Sequence, residues 1–175
     1  MALSNGEQFG AYRLLQRLDA VGPLVRYIAL PGEDGGGEGD LCVLQCLQGD
    51  ATSDLELGLR YRQVMSQQAR LRHDAIVGVR EIGEWDGQPY MTYELRDGVD
   101  LEMLAKVSVS TGRPMLSAPL AATVVDEVLA GLAAAHGQGI YHRGLQMPQM
   151  KTAAGLKVKI LFYCSFYNFT PSGLF

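Results

Sequence analysis

At 175 residues the chain is long enough for one domain, or at most two, and to bury roughly 70% of the surface its unfolded form exposes. A net charge of −4 with 19% charged residues leaves no basic field to attract a phosphate backbone, which excludes nucleic acid as an expected partner. The start, MALSNGEQFG, has neither a basic cluster nor an apolar run, and no stretch reads as the ~18 apolar residues of a membrane span, so the expectation is a cytoplasmic protein without membrane contact.

In chain order, Tyr12 to Ala20 and Leu24 to Leu30 read as strands around a turn at Val21-Gly22-Pro23, where Gly and Pro favour a change of direction. Residues 31–40, PGEDGGGEGD, are an acidic glycine-rich loop. Its glycines do not lead from a strand into a helix, so they are not expected to cradle a phosphate. Leu41 to Leu47 is a buried strand. Cys42 and Cys46 lie on it without a nearby His, and with an odd total of three cysteines they read as buried free thiols. Ser53 with Glu56 has the spacing of a capping box, and Leu57, Tyr61, Val64, Met65 and Leu71 then form a helical stripe through to Arg72.

Ile76 to Glu84 and Gln88 to Leu95 are strands joined by Asp86-Gly87, a dipeptide suited to the positive φ angles of a two-residue hairpin turn. Leu101 to Val107 suggests a short helix, and Thr111 to Pro114 a loop. Ser117 is placed to cap a helix over Leu120 to His136, with Leu120, Val124, Val128, Leu132 and Ala135 on one face and Gly137 and Gly139 ending it. Val158 to Cys164 is an apolar strand.

Four segments carry more than periodicity: LRHDAIV at 71–77, GEWDGQPYMTYE at 83–94, AGLAAAH at 130–136, and GIYHRGLQMPQM at 139–150. In that order they resemble the bacterial serine/threonine protein kinases. The last is similar to the catalytic loop, Gly-Ile-Val-His-Arg-Asp-Leu-Lys-Pro-x-Asn, with His142 and Arg143 kept. The resemblance implies an α+β, protein kinase-like fold. A small lobe, a five-stranded antiparallel sheet with one helix, would span residues 1–95. Residues 96–164 would supply the first part of a large lobe, with its long helix, a degenerate catalytic loop and a strand, and 165–175 an aromatic tail. The rest of the large lobe would be missing.

The same resemblance locates the chemistry. Phosphoryl transfer needs a glycine-rich loop over the phosphates, a strand lysine held by a helix glutamate, metal ligands and an aspartate base. The loop glycines fall on Asp19, Val21 and Leu24, placing bulk and a negative charge where backbone amides would approach phosphate. The lysine falls on Gln45 and its glutamate on Val64, a joint replacement that leaves no unpaired buried charge. The base falls on Gly144, the following lysine on Gln146, the metal-binding asparagine on Gln149, where Pro148 interrupts the pattern, and the metal-binding aspartate on Phe162. Tyr93 takes the gatekeeper position, filling the back of a slot that Val43 and Leu95 would line. In the family the His packs and bonds locally and the Arg contacts a phosphorylated segment, which this chain would be expected to lack.

The expectation is a truncated pseudokinase: not an enzyme, with no metal and no cofactor, acting through a protein partner or by self-association. The uncovered face of the long helix and the tail aromatics Phe166, Tyr167, Phe169 and Phe175 are the candidate surfaces. Its rivals are a nucleotide- or small-molecule-sensing domain without phosphotransfer, a remnant of a serine/threonine kinase, and an unconventional kinase in which Asp19, Asp97 or Asp100 would be the only nearby acids.

Overall fold

Alternating apolar residues on successive strands build a six-stranded antiparallel sheet in the order β1-β2-β3-β4-β6-β5. Its strands are β1 (Gln8–Phe9), β2 (Tyr12–Val21), β3 (Leu24–Pro31), β4 (Cys42–Leu47), β5 (Val79–Trp85) and β6 (Gln88–Glu94). The structure is a computed structural model and describes residues 3–32, 41–95, 98–152 and 158–162. The acidic loop from Glu33 to Asp40, Asp97, Cys164 and the tail aromatics from Tyr163 to Phe175 lie outside the described residues.

The sheet exceeds the five strands read from sequence by the two-residue β1, too short to leave a periodic signal. Every residue of β4 is buried, as befits its place between β3 and β6. One face packs Phe9, Tyr12, Val25, Tyr27, Leu44, Cys46 and Tyr90 into a core. Burial pushes the thiol of Cys46 up to about 12 and that of Cys42 up to about 11. Both therefore stay protonated and behave as small apolar side chains. Asp86 (φ 48°) and Gly87 (φ 74°) make the hairpin turn expected of that dipeptide. The strand expected from Ile76 instead begins at Val79, because Ile76 forms a parallel bridge with Ile160.

Helix α1 (Leu55–Gln68) buries Tyr61, Met65 and Gln68. Its cap differs from the expected Ser53 box. A 3-10 turn over Gly49–Thr52 precedes it, and the helix is entered at Asp54, whose carboxylate accepts from Leu57 N at 3.0 Å. Glu56 pairs with Arg60 one turn on.

The chain divides into two compact units, and Leu71–Val77 belongs with the second, although its chain neighbours on both sides belong to the first. The second unit contains α2 (Leu101–Thr111), α3 (Ala118–His136) and a three-stranded sheet of β7 (Val99–Asp100), β8 (Met150–Thr152) and β9 (Val158–Ile160). Of that sheet only β9 was read from sequence, as the start of the strand expected over Val158 to Cys164; β7 and β8, two and three residues long, were not. Helix α2 runs a turn further than expected, to a left-handed stop at Gly112 (φ 65°). Ser117 takes the N-cap position of α3 without a side-chain cap bond. At the other end Gly137 is right-handed, and Gly139 (φ 71°) makes the left-handed turn.

Leu71, Ile76, Ala135, Ile140, Ile160 and Phe162 form the buried core of this unit. Gly131 lets α3 approach closely, since a Cβ there would lie 3.1 Å from Ile160 Cδ1 and 3.3 Å from Ala75 O. His73 holds the turn before Ala75 by accepting from its backbone N at 3.1 Å. Contrary to the sequence expectation, α3 is long and apolar enough to cross a membrane, with mean hydropathy 1.5. Its adjacent Asp126 and Glu127 and its packing on β9 suit a helix of a folded unit, and Glu127 accepts a hydrogen bond from Val158 N.

Candidate functional site

On strand β4 the alternation that buries Leu44 and Cys46 in the core sends Val43 and Gln45 to the opposite face of the sheet. Gln45 is 1% exposed, and its Oε1 has no hydrogen-bond partner among the described residues. Its backbone carbonyl accepts from Tyr61 Oη at 2.9 Å, which ties α1 to the strand. Val64, expected from the resemblance to stand in for the helix glutamate, is half-buried on α1. Neither residue carries a charge, so neither leaves a buried ion in need of a partner.

The same face carries Arg26, directly opposite Gln45 in the β3–β4 register, and Tyr93, opposite Val43. Val43 and Tyr93 are buried, Leu24 is 2% exposed, Leu95 is half-buried, and Val21 closes the β2–β3 hairpin by pairing with Leu24. Asp19 was expected to place a negative charge where backbone amides would approach phosphate. It is instead neutralised by Arg26, its cross-strand partner, whose Nε donates to Asp19 Oδ1 at 2.5 Å and whose Nη2 donates to Oδ2. Burial would lower the Arg26 pKa, but the oxygens of Tyr93 and Asp19 more than offset this and hold it above its ordinary value. Arg26 is thus the residue that sequence reasoning passed over. Its signal was legible: around a turn at Gly22-Pro23, positions 19 and 26 face each other.

In the second unit the stretch after Gly139 is held by packing rather than by charge. His142 is buried, its Nε2 lies 2.9 Å from Leu161 O, and its ring sits 4.9 Å from that of Phe162. With a carbonyl as acceptor, Nε2 carries the proton. Arg143 is exposed and takes a left-handed φ of 57°. Gly144 and Gln146 are exposed; Gln149 is buried and its Oε1 accepts from Gln146 N at 2.7 Å, capping the 3-10 turn Met147–Gln149. Gln149 O also accepts from Leu161 N at 2.8 Å. The side chain at the expected metal-ligand position therefore serves a local cap, and Phe162 is buried in the core. Asp100, one of the alternative acids, caps α2 by accepting from Met103 N at 2.7 Å.

Burial holds the His142 pKa below its ordinary 6.5, against an opposing contribution from Leu161 O. The unfolded chain therefore binds a proton at a pH where the folded chain does not. Stability is full above about 6.5 and falls as pH drops through the window below it. Thermal melts from pH 7.5 to 5 should show this fall, and His142→Gln should flatten it; a slope unchanged by the substitution would place the titration elsewhere.

The order of elements, the sheet and α1, then α2, α3 and the His142 loop, decides the fold. It is protein kinase-like. The kinase domain of Mycobacterium tuberculosis PknI, in its C20A mutant, superposes with a TM-score of 0.68 at 24% identity, over 92% of this chain and 62% of that one. PpkA-294 in its apo form superposes with a TM-score of 0.72 at 15% identity, over 91% of this chain and 60% of the other. In sequence the kinase-like chain is 27% identical over 150 residues to the serine/threonine-protein kinase PknF of Mycobacterium tuberculosis, covering 83% of itself and 29% of the relative. It is 26% identical over 149 residues to the probable serine/threonine-protein kinase PknB of Lactococcus lactis, covering 85% of itself and 22% of that relative. The chain thus spans less than a third of the length of these curated relatives. No protein-family model matches it.

Proposed function

We propose that this kinase-like chain is a noncatalytic module that acts through protein contacts. The observation that carries the reading is the set of residues at the catalytic positions: Gln45, Val64, Gly144, Gln149 and Phe162 offer neither a carboxylate nor an ammonium group. A general base contributes ~10² to 10⁴ in rate, and loss of one preorganised electrostatic stabiliser costs a further ~10² to 10³. Such losses do not multiply freely, but no group among the five supplies any of these roles.

A protein-contact role is supported by the outer side of α3, where Val125 is 54% and Leu129 56% exposed. Beside it a shallow depression of about 500 Å³ is lined by Leu132, His136, Tyr141, Arg143 and Leu145. An apolar surface of this kind favours a partner or a second copy. Incubation with γ-labelled ATP, magnesium or manganese, and a basic protein substrate tests the first half of the reading. We expect no transferred phosphate above a heat-denatured control; transfer by the folded chain would overturn it. Sedimentation across a hundredfold concentration range tests the second half. A defined complex is expected, whereas a remnant of a longer kinase would form heterogeneous aggregates.

A further inference from the structure

We propose that Glu81 is a latch that closes the six-stranded sheet on itself, holding a tyrosine of β2 and a tyrosine of β6 to one carboxylate on edge strand β5. In the strand order β2 and β5 are separated by β3, β4 and β6. At ~4.8 Å between neighbours, a flat sheet would set them ~19 Å apart, beyond the combined reach of a tyrosine and a glutamate. Yet Tyr12 Oη donates to Glu81 Oε2, and Tyr90 Oη donates to Glu81 Oε1 at 2.9 Å. A second contact joins the same two ends. Gly10, in the turn between β1 and β2, lies against Trp85 of β5, so that a Cβ there would be 3.5 Å from Trp85 Cε3. The sheet is therefore curled, and its ends meet over the core that contains Phe9, Tyr12 and Tyr90.

The latch has one acceptor group for two donors. Tyr12 and Tyr90 are buried and their rings meet edge-on at 5.8 Å, whereas Glu81 is exposed. Both oxygens of the carboxylate are engaged, each in a charge-assisted bond that a neutral acceptor would make more weakly. The same arrangement makes the latch sensitive to base. A phenol that loses its proton no longer donates, and it sets a second negative charge against Glu81. Burial and the bond to Glu81 push Tyr12 up to about 12, and the same two causes hold Tyr90 well above the ordinary 10. The other titratable groups around the carboxylate are Cys42 on β4, pushed up to about 11, and Arg80, next to Glu81 on β5. The folded chain thus keeps two phenolic protons that the unfolded chain loses near 10. The stability they carry is full below about 10 and is lost as pH rises through about 12.

Two substitutions test this. Glu81→Ala removes the acceptor, while Tyr12→Phe removes one donor and keeps its ring. Amide hydrogen exchange at neutral pH over residues 9–14 and 79–85 should rise about tenfold or more in Glu81→Ala, and by a smaller factor in Tyr12→Phe, as the two ends part. The β4 amides should stay as slow as in the wild type. Equal acceleration in β4, or unchanged exchange at the two ends in both variants, would overturn the latch. The response to base is read by carbon NMR of the chain labelled at the tyrosine ζ-carbons, with Tyr12→Phe and Tyr90→Phe assigning the two signals. In the wild type both should titrate well above 10, and in Glu81→Ala both should fall toward it. Signals that titrate at the same pH with and without Glu81 would overturn the shared-carboxylate account. None of these results bears on phosphate transfer, so the noncatalytic reading stands or falls separately.

Discussion

Replacing Ile160 by alanine should lower the unfolding free energy by about 2–5 kcal/mol, the range for truncating a fully buried aliphatic side chain whose cavity cannot collapse. Ile160 is fully buried and is a hub of the second unit. Its N donates to Ala75 O at 2.8 Å, its carbonyl accepts from Val77 N at 2.9 Å, and its side chain fills the space left by the missing Cβ of Gly131. Those two backbone bonds hold Ala75 and Val77 in place, so the cavity walls are fixed and relax little. The check is a urea titration, with Val109→Ala as the reference, because Val109 is 85% exposed and its truncation should stay within about 0.5 kcal/mol. A midpoint shift for Ile160→Ala no larger than the reference would refute the packing account.

A second large effect is expected from adding a methyl group. Gly83 lies opposite Tyr90 in the β5–β6 register, and a Cβ there would stand 2.6 Å from Tyr90 Cζ and 2.6 Å from its Oη. The ring is not free to give way. Its hydroxyl donates to Glu81 Oε1 at 2.9 Å, and it packs edge-on against Phe9 and Tyr12 at 5.6 and 5.8 Å. Gly83→Ala should therefore cost about 1–3 kcal/mol by overpacking. Gly78→Ala is the matched control, since a Cβ there meets nothing within 4 Å. Equal melting temperatures for the two variants would show that the Tyr90 ring moves more easily than its contacts imply.

What the sequence disclosed depended on length and on locality. The strands flanking Asp86-Gly87 and the helix ending near His136 were legible because several turns or alternations repeat the same signal. Strands β1, β7, β8 and β9 were not, or only in part: two or three residues carry no period, and their pairing is decided by distant partners such as Ile76 with Ile160. The misplacement of the α1 cap from Asp54 to Ser53 has a similar origin. Both residue types cap well, and the choice was made by the 3-10 turn before them. At the site, the resemblance assigned expected positions one by one, because each occupies a fixed offset in a motif. It missed the pairing of Asp19 with Arg26, which belongs to two adjacent strands and to no motif.

The last strand of the large sheet bears on how another chain can approach it. Strand β5 pairs with β6 and stands at the edge of the strand order, the position from which sheets recruit foreign strands and aggregate. Its sequence, VREIGEW, sets Arg80, Glu81 and Glu84 along that edge, and its register with β6 slips between Val79 and Glu81. Charge and a bulge together deny an incoming strand both a neutral approach and a continuous ladder. This edge of the sheet is thereby protected from templating fibrils, and strand addition along it is disfavoured.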